Sequence, residues 1–489
     1  MGSVLNLIHD DFYYVKKPIS GFHKRYPVPN GYIEEVKNDF LEMMNYYEVN
    51  LGDKESVEVH NLQSSHFDED YYDIVPSLKS KKKIPVPQVK IHHPFLTKEL
   101  GRKFNLVYVD GSNDVLDEDV YFYVIEPLQL NWKDETQVYK NKETNEIVHE
   151  GEWKLFDCIS DNVVKLINEK RCKVIIDYSH EAVIDMDNLQ TWYEKVKKEN
   201  RIDLSQVYFF VGDLNTDRYL DCEITMLPSI YYLELLSDEV YDIKQKESHK
   251  TGLGYNYSVP KIENLDIDKK DKHFLCLMRN CSKPHRLALA SLFEHYDIWY
   301  NNKISFLKHG LEHGFEENFH LIPSKYKDAS FRLRNLDPVK LDTQNFKQLD
   351  NLEVFHTNRK DFYDETFLSI VAESGFELDE IELNEKTYKP IWNLHPFILV
   401  STPNALKVVQ ELGFKTFHPF IDETYDTIKD NKKRMEKICL EIEKFMNKSV
   451  EELKEWTYSI LPILEHNQKT FFSYKDNETR KVKFLEGFL

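Results

Sequence analysis

From Phe104 onward the chain alternates short apolar runs with amphipathic stretches, and this rhythm restricts the fold more than any other feature. The runs "FNLVYVDG", "VYFYVIEP", "KVIIDYS" and "VYFFVGD" read as strands. Between them, Ile159, Val163, Leu166 and Ile167 follow helical spacing, and "NLQTWYEKVKKE" reads as a second helix. Strands that are apolar at nearly every position must be covered on both faces, and helical connections let them run parallel, so the pattern predicts a parallel α/β sheet. Residues 246–271 then turn polar, with Gly252, Gly254 and Pro260 among them, and look like an interdomain linker. A second series follows: strand "HFLCLM", helix "KPHRLALASLFEHY", strand "FLSIVAES", helix "NEKTYKPIWN", strand "PFILV" and helix "TPNALKVVQELG".

The expected fold class is therefore α/β, with two Rossmann-like domains facing across a cleft. Residues 1–100, irregular and rich in Tyr, Pro and Asp, form an N-terminal extension. Residues 101–245 form the first domain and 272–430 the second, with a charged helical segment over 431–489. Ligands of such sheets bind outside the carboxyl ends of the strands. A chain of 489 residues is long enough for two or three domains with cores of their own.

Charge and cysteine usage narrow the class of function. A formal net charge of −20 opposes polyanions, which points away from nucleic acid and anionic membrane as partners. Cys158, Cys172, Cys222, Cys276, Cys281 and Cys439 are scattered without CxxC spacing, as in a reducing compartment, and the cytoplasm is the expected location. No apolar stretch approaches the ~20 residues of a membrane span. The acidic run "HFDEDYYD" and the histidines at 309, 313 and 320 lack diagnostic metal-ligand spacing, and no phosphate-cradling glycine loop or GxSxG elbow occurs.

Three groupings lie where predicted strands end. In "CLMRNCSKPHRLAL", Arg279 and Asn280 follow a strand and Ser282 is placed to cap a helix that carries Pro284, His285 and Arg286 in its early turn. A guanidinium beside a helix N-terminus suits an anion, phosphate above all. In the second series, Glu373 ends "FLSIVAES", and Asn384 is placed to cap a helix beginning Glu385, Lys386, with Tyr388 and Lys389 close behind. A carboxylate there suits vicinal ribose hydroxyls and an ammonium suits a diphosphate. In the first series, Asp177, His180 and Glu181 follow "VII" and are candidates for taking a proton from an acceptor hydroxyl. Each grouping has a plain structural alternative: Arg286 on a solvated helix face, Glu385 paired with Lys389 at the surface, Asp177 as a cap.

The order Arg279 to Arg286, then "VAES", "NEKTYKPI", "HPFILV", "LGFKTF" and "IDETYD", resembles the C-terminal domain of GT-B glycosyltransferases, in particular fucosyltransferase-like enzymes and their relatives in phages and large viruses. The resemblance covers residues 272 to about 430. It implies transfer of a sugar from a UDP- or GDP-sugar donor to a glycan, peptide or modified-base acceptor. It also implies that Arg286 and Lys386 contact the diphosphate, Glu385 holds the ribose and Glu373 faces the donor sugar, with Arg279, Asn280 and Lys389 in the same set. Ala372-Glu373-Ser374-Gly375 stands where fucosyltransferases have Phe-Glu-Asn-Ser, Asn384 where they have Thr, and Ser401 where a Gly often ends the next strand. The expected chemistry is inverting, with Glu181 as base ahead of His180, and with cations in place of an obligatory metal. A DNA-modifying glycosyltransferase and a non-catalytic glycan-binding or scaffold protein are the two rival expectations.

Overall fold

Cys172–Tyr178 shows how the sequence builds the first sheet. Cys172, Val174, Ile175, Ile176 and Asp177 are all buried, on both faces of the strand, and the strand pairs in parallel on both sides. In this computed structural model the described residues are 4–9, 25–27, 57–62, 71–76, 84–85, 104–110, 120–125, 138–140, 147–149, 161–179, 193–194, 196–215, 223–245, 249–250, 256–280, 283–309, 316–339, 341, 360–476 and 480–489. The chain divides into two compact units, Met1–Ser229 with Arg480–Leu489, and Ile230–Thr479.

The sheet of the first unit has seven strands: β1 (Val4–His9), β2 (Ile84–Pro85), β3 (Asn105–Asp110), β4 (Tyr121–Ile125), β5 (Cys172–Tyr178), β6 (Val207–Val211) and β7 (Thr225–Pro228). Their spatial order is β7-β6-β5-β4-β1-β3-β2, and every pairing is parallel except β2 with β3. Helix α1 (Asp161–Asn168) buries Val163, Leu166 and Ile167, as its spacing predicts. The C-terminal helix Arg480–Glu486 returns to this unit and packs Val482 and Leu485 with Leu5, Phe122, Ile175 and Phe210. Short antiparallel pairings join Val57–Leu62 to Tyr71–Pro76 and Val138–Lys140 to Ile147–His149.

The second unit holds a four-stranded, wholly parallel sheet in the order β9-β8-β10-β11, from β8 (Lys272–Asn280), β9 (Lys303–His309), β10 (Thr366–Ala372) and β11 (Phe397–Val400). Besides the short helices Lys327–Arg332 and Lys360–Glu365, it holds α2 (Tyr231–Gln245), α3 (Pro284–His295), α4 (Glu385–Trp392), α5 (Ala405–Glu411), α6 (Asn431–Met446) and α7 (Val450–Asp476). All seven residues of β10 and all four of β11 are buried, as continuous apolar strands should be. Among the described residues no helix is long and apolar enough to cross a membrane.

The α/β class and its parallel sheets match the alternation in the sequence, but the boundaries differ. Val4–His9 lies inside the first sheet between β3 and β4, so part of the stretch read as an extension is core. The units part between Ser229 and Ile230, before the segment read as a linker. That segment is tied into the second unit: Ile267 is buried, and the Gln468 side chain donates to the Pro260 carbonyl at 2.9 Å. The 431–489 stretch is shared, α6 and α7 falling in one unit and residues 480–489 in the other. Lys303–His309, absent from the expected series, is an edge strand.

Lys270, just ahead of β8, is 2% exposed and donates to the carbonyls of Tyr363 and Thr366, which closes the amino end of β10. Burial lowers its pKa to about 8, against the opposing pull of Asp364. Between about 8 and the ordinary lysine value of 10.5, the unfolded chain binds this proton and the folded one does not, so the lysine's contribution to stability grows as pH rises. We predict that the stability gap between wild type and Lys270→Met widens with pH across that window, by up to about 1 kcal/mol per pH unit. Denaturant titrations at the two ends of the window would show it, and a constant gap would contradict it.

Candidate functional site

In the second unit the chain passes from β8 out to β9 and then back across to β10 on the other side of β8. This reversal of strand order falls at the carboxyl ends of β8 and β10, the usual binding place in doubly wound sheets. Glu373 is the first residue past β10. Its backbone N–H extends the ladder to the Val400 carbonyl at 3.1 Å, and its side chain is wholly buried.

Helix α3 closes the end of β10. Lys283 flanks its start without a side-chain cap and Pro284 opens it, while Ser282, expected as the cap, lies outside the described residues. His285 and Arg286 are buried rather than solvated. Nη2 of Arg286 donates to the carbonyls of Ala372 and Glu373, both at 3.1 Å, and Nε2 of His285 lies 2.9 Å from the Glu373 carbonyl. These are carbonyls at and just past the strand end, where a parallel ladder runs out of donors, and α3 supplies them. Burial, reinforced by the Arg286 charge, pushes His285 well below the ordinary histidine range and keeps it neutral.

Helix α4 supplies the other wall. Asn384 caps it, Oδ1 accepting from the Lys386 N–H at 3.0 Å, as expected for this residue. The Asn384 N–H also donates to Oε1 of Glu373 at 3.3 Å, and the Thr387 hydroxyl donates to the same oxygen. Glu385 is 8% exposed, so it is not a surface partner for Lys389. Nζ of Lys386 lies 3.3 Å from Oε1 of Glu385, 3.0 Å from Oδ1 of Asn384 and 3.9 Å from Oε2 of Glu373.

One ammonium thus serves two buried carboxylates, and the two respond differently. Burial, with the neighbouring Glu385 charge adding to it, raises Glu373, whose one cationic contact among the described residues is the long one. For Glu385 burial is outweighed by the charges of Lys386 and Lys389, and its pKa falls. Lys386 is held protonated because Glu385 and Glu373 outweigh the cost of burying it.

The loop after Glu373 is pinned from a third side. The rings of Phe376 and His285 stack at 5.1 Å, and the guanidinium of Arg434, from α6, lies 4.3 Å over the Phe376 ring. Arg434 is fully buried and donates to the carbonyls of Phe376 and, at 2.7 Å, Ile428. The start of the neighbouring helix α5 is filled by the chain itself, since Asp426 accepts from the N–H groups of Leu406 at 3.0 Å and Lys407 at 3.3 Å.

Of the residues singled out from the sequence, Arg286, Glu373, Glu385 and Lys386 gather in one place, with Lys389 one turn further along α4. Arg279 and Asn280 end β8, where Asn280 is in register with His309. In the first unit Asp177 lies in β5, wholly buried, and Oδ1 accepts from both the N–H and the hydroxyl of Ser179. That arrangement is an Asx-type turn at the strand end, close to the capping role that is its plain alternative. His180 and Glu181 lie outside the described residues. Thr387, Phe376 and Arg434 were not singled out. Thr387 had a signal, its place in the first turn of a helix already under suspicion, whereas Arg434 sits in a lysine-rich helix start and had none.

A scan against protein-family models matches none to this chain, and a search of curated proteins gives no significant match.

Proposed function

We propose that the chain is a glycosyltransferase of the GT-B type, moving a sugar from a nucleotide-diphosphate sugar to an acceptor hydroxyl with inversion and without an obligatory metal. One observation carries the reading. Two buried carboxylates, Glu373 and Glu385, share the Lys386 ammonium at the carboxyl edge of a doubly wound sheet, where the strand order reverses. Glu385 would accept the ribose hydroxyls, Lys386 would meet the diphosphate, and Glu373 would face the donor sugar.

Arg286 takes a modified part in this scheme. Its Nη2 is spent on the two carbonyls, so it clamps the strand end and contributes a fixed positive charge. Fixed cations near a departing diphosphate stabilise the charge that develops as the glycosidic bond breaks, without reorganising at that moment. For the acceptor proton, Glu181 and then His180 remain the proposed bases.

A thermal-shift panel of UDP, GDP and their sugar conjugates against wild type and Glu385→Ala tests the reading. A ligand at a hundred times its dissociation constant adds about 2.7 kcal/mol to the unfolding free energy, which is readily seen. One nucleotide family should stabilise the wild type and leave a folded Glu385→Ala unmoved, with Glu385→Gln as a second variant that keeps the side-chain volume. No stabilisation of folded wild type by any of them would favour the scaffold reading. Transfer activity should also persist in EDTA, and loss restored by manganese would refute the metal-independent part.

A further inference from the structure

We propose that binding of the nucleotide-sugar diphosphate at Lys386 is coupled to uptake of one proton by Glu373, so that donor affinity rises as pH falls. The inference rests on the nucleotide-sugar reading and adds a regulatory property to that site.

The geometry carries the argument. Lys386 has three N–H donors. One faces Oδ1 of Asn384 at 3.0 Å and one Oε1 of Glu385 at 3.3 Å, which leaves the third for Oε2 of Glu373, at 3.9 Å and beyond hydrogen-bonding reach. On Glu373 itself, Oε1 accepts from the Asn384 N–H and the Thr387 hydroxyl, while Oε2 is buried with no hydrogen-bond partner among the described residues. A diphosphate oxygen that accepts the third donor of Lys386 takes over the charge that Glu373 had, and brings negative charge of its own. Glu385 keeps Lys389 as a second cation, and among the described residues only Lys386 acts as a cation on Glu373.

The other charged and titratable groups around Glu373 do not substitute. From α3, Arg286 is committed through Nη2 to the Ala372 and Glu373 carbonyls, and His285, on that same Glu373 carbonyl, is held neutral. Lys283, flanking α3, acts on His285. From α6, Arg434 is spent on the Phe376 and Ile428 carbonyls. Glu382, ahead of α4, adds negative charge near Lys386. Burial already biases Glu373 toward its protonated form. Once protonated, Oε2–H becomes a donor, matched to an oxygen of the incoming donor sugar.

Calorimetric titration of the full chain with UDP-glucose, GDP-mannose and GDP-fucose, between about pH 6 and pH 8 in buffers of different ionisation heat, reads the proton directly. Sugar conjugates are the probes because a free nucleotide's terminal phosphate titrates near pH 6, whereas a diphosphate esterified at both ends has no proton to exchange there. The expected result is uptake of up to one proton per ligand bound, affinity falling by as much as tenfold per pH unit toward the alkaline side, and pH-independent affinity in Glu373→Gln. Binding without proton uptake by the wild type overturns the inference and leaves the nucleotide-sugar reading standing. Uptake that persists in Glu373→Gln overturns it too, by assigning the proton elsewhere. Failure of all three probes to bind folded protein overturns the functional reading and the coupling with it.

Discussion

Replacing Arg434 with Met is expected to lower the unfolding free energy of the second unit by about 3–5 kcal/mol and to abolish nucleotide-sugar binding. The side chain is wholly buried, and its guanidinium holds the carbonyls of Phe376 and Ile428 and the side chain of Asn431. Met fills much of the volume but donates nothing, so the carbonyls are stranded, at about 1–3 kcal/mol each. Functional loss follows by a separate route. Phe376 is three residues beyond Glu373, and the stack with Arg434 and His285 fixes the loop between them. Arg434→Lys should recover only part of the stability, because one ammonium on a flexible stem cannot span acceptors that the planar fork reaches together. Denaturant titrations of the three proteins, with donor binding measured alongside, provide the check. Wild-type stability in Arg434→Met would show that the loop is held by other contacts.

The candidate site was largely legible because its residues obey local rules. A strand end, a polar loop and a capped helix put Glu373, Asn384, Glu385 and Lys386 within one βα unit, and backbone geometry brings the ends of that unit together. What was not legible depended on distance along the chain. "VLNLIH" is an ordinary apolar run, and nothing in it declares that its partners are Asn105–Asp110 and Tyr121–Ile125. Arg434 is one cation in "DNKKRMEKI", and neither charge pattern nor spacing separates it from Lys432 and Lys433. Its burial is decided by a carbonyl 58 residues away. Sequence periodicity reports which face of an element is apolar, and tertiary packing decides which polar residue is drawn beneath it.

The same limit hid the end of the chain, and there the second large effect is expected. Deleting residues 480–489 should unfold the first unit while the second survives. Val482 and Leu485 are wholly buried in a cluster with Leu5, Phe104, Phe122, Ile175 and Phe210. Phe484 packs edge-on against Tyr208 at 4.8 Å and Phe210 at 5.4 Å, Phe488 lies 6.1 Å from Phe122, and the Lys173 ammonium sits 5.2 Å from the Phe488 centroid. Two fully buried aliphatic side chains at about 1.5–3 kcal/mol each, with the aromatic contacts added, bring the loss to the order of 5 kcal/mol. That rivals the whole stability of many domains, about 5–15 kcal/mol. No residue of the second unit is removed, so limited proteolysis of the deletion variant should leave a resistant fragment starting near Ile230 and ending near Asp476. Leu485→Asp in the full chain should give the same fragment, because it places a charge in the middle of the cluster. An intact first unit in both variants would mean that the sheet face is stable without its C-terminal helix.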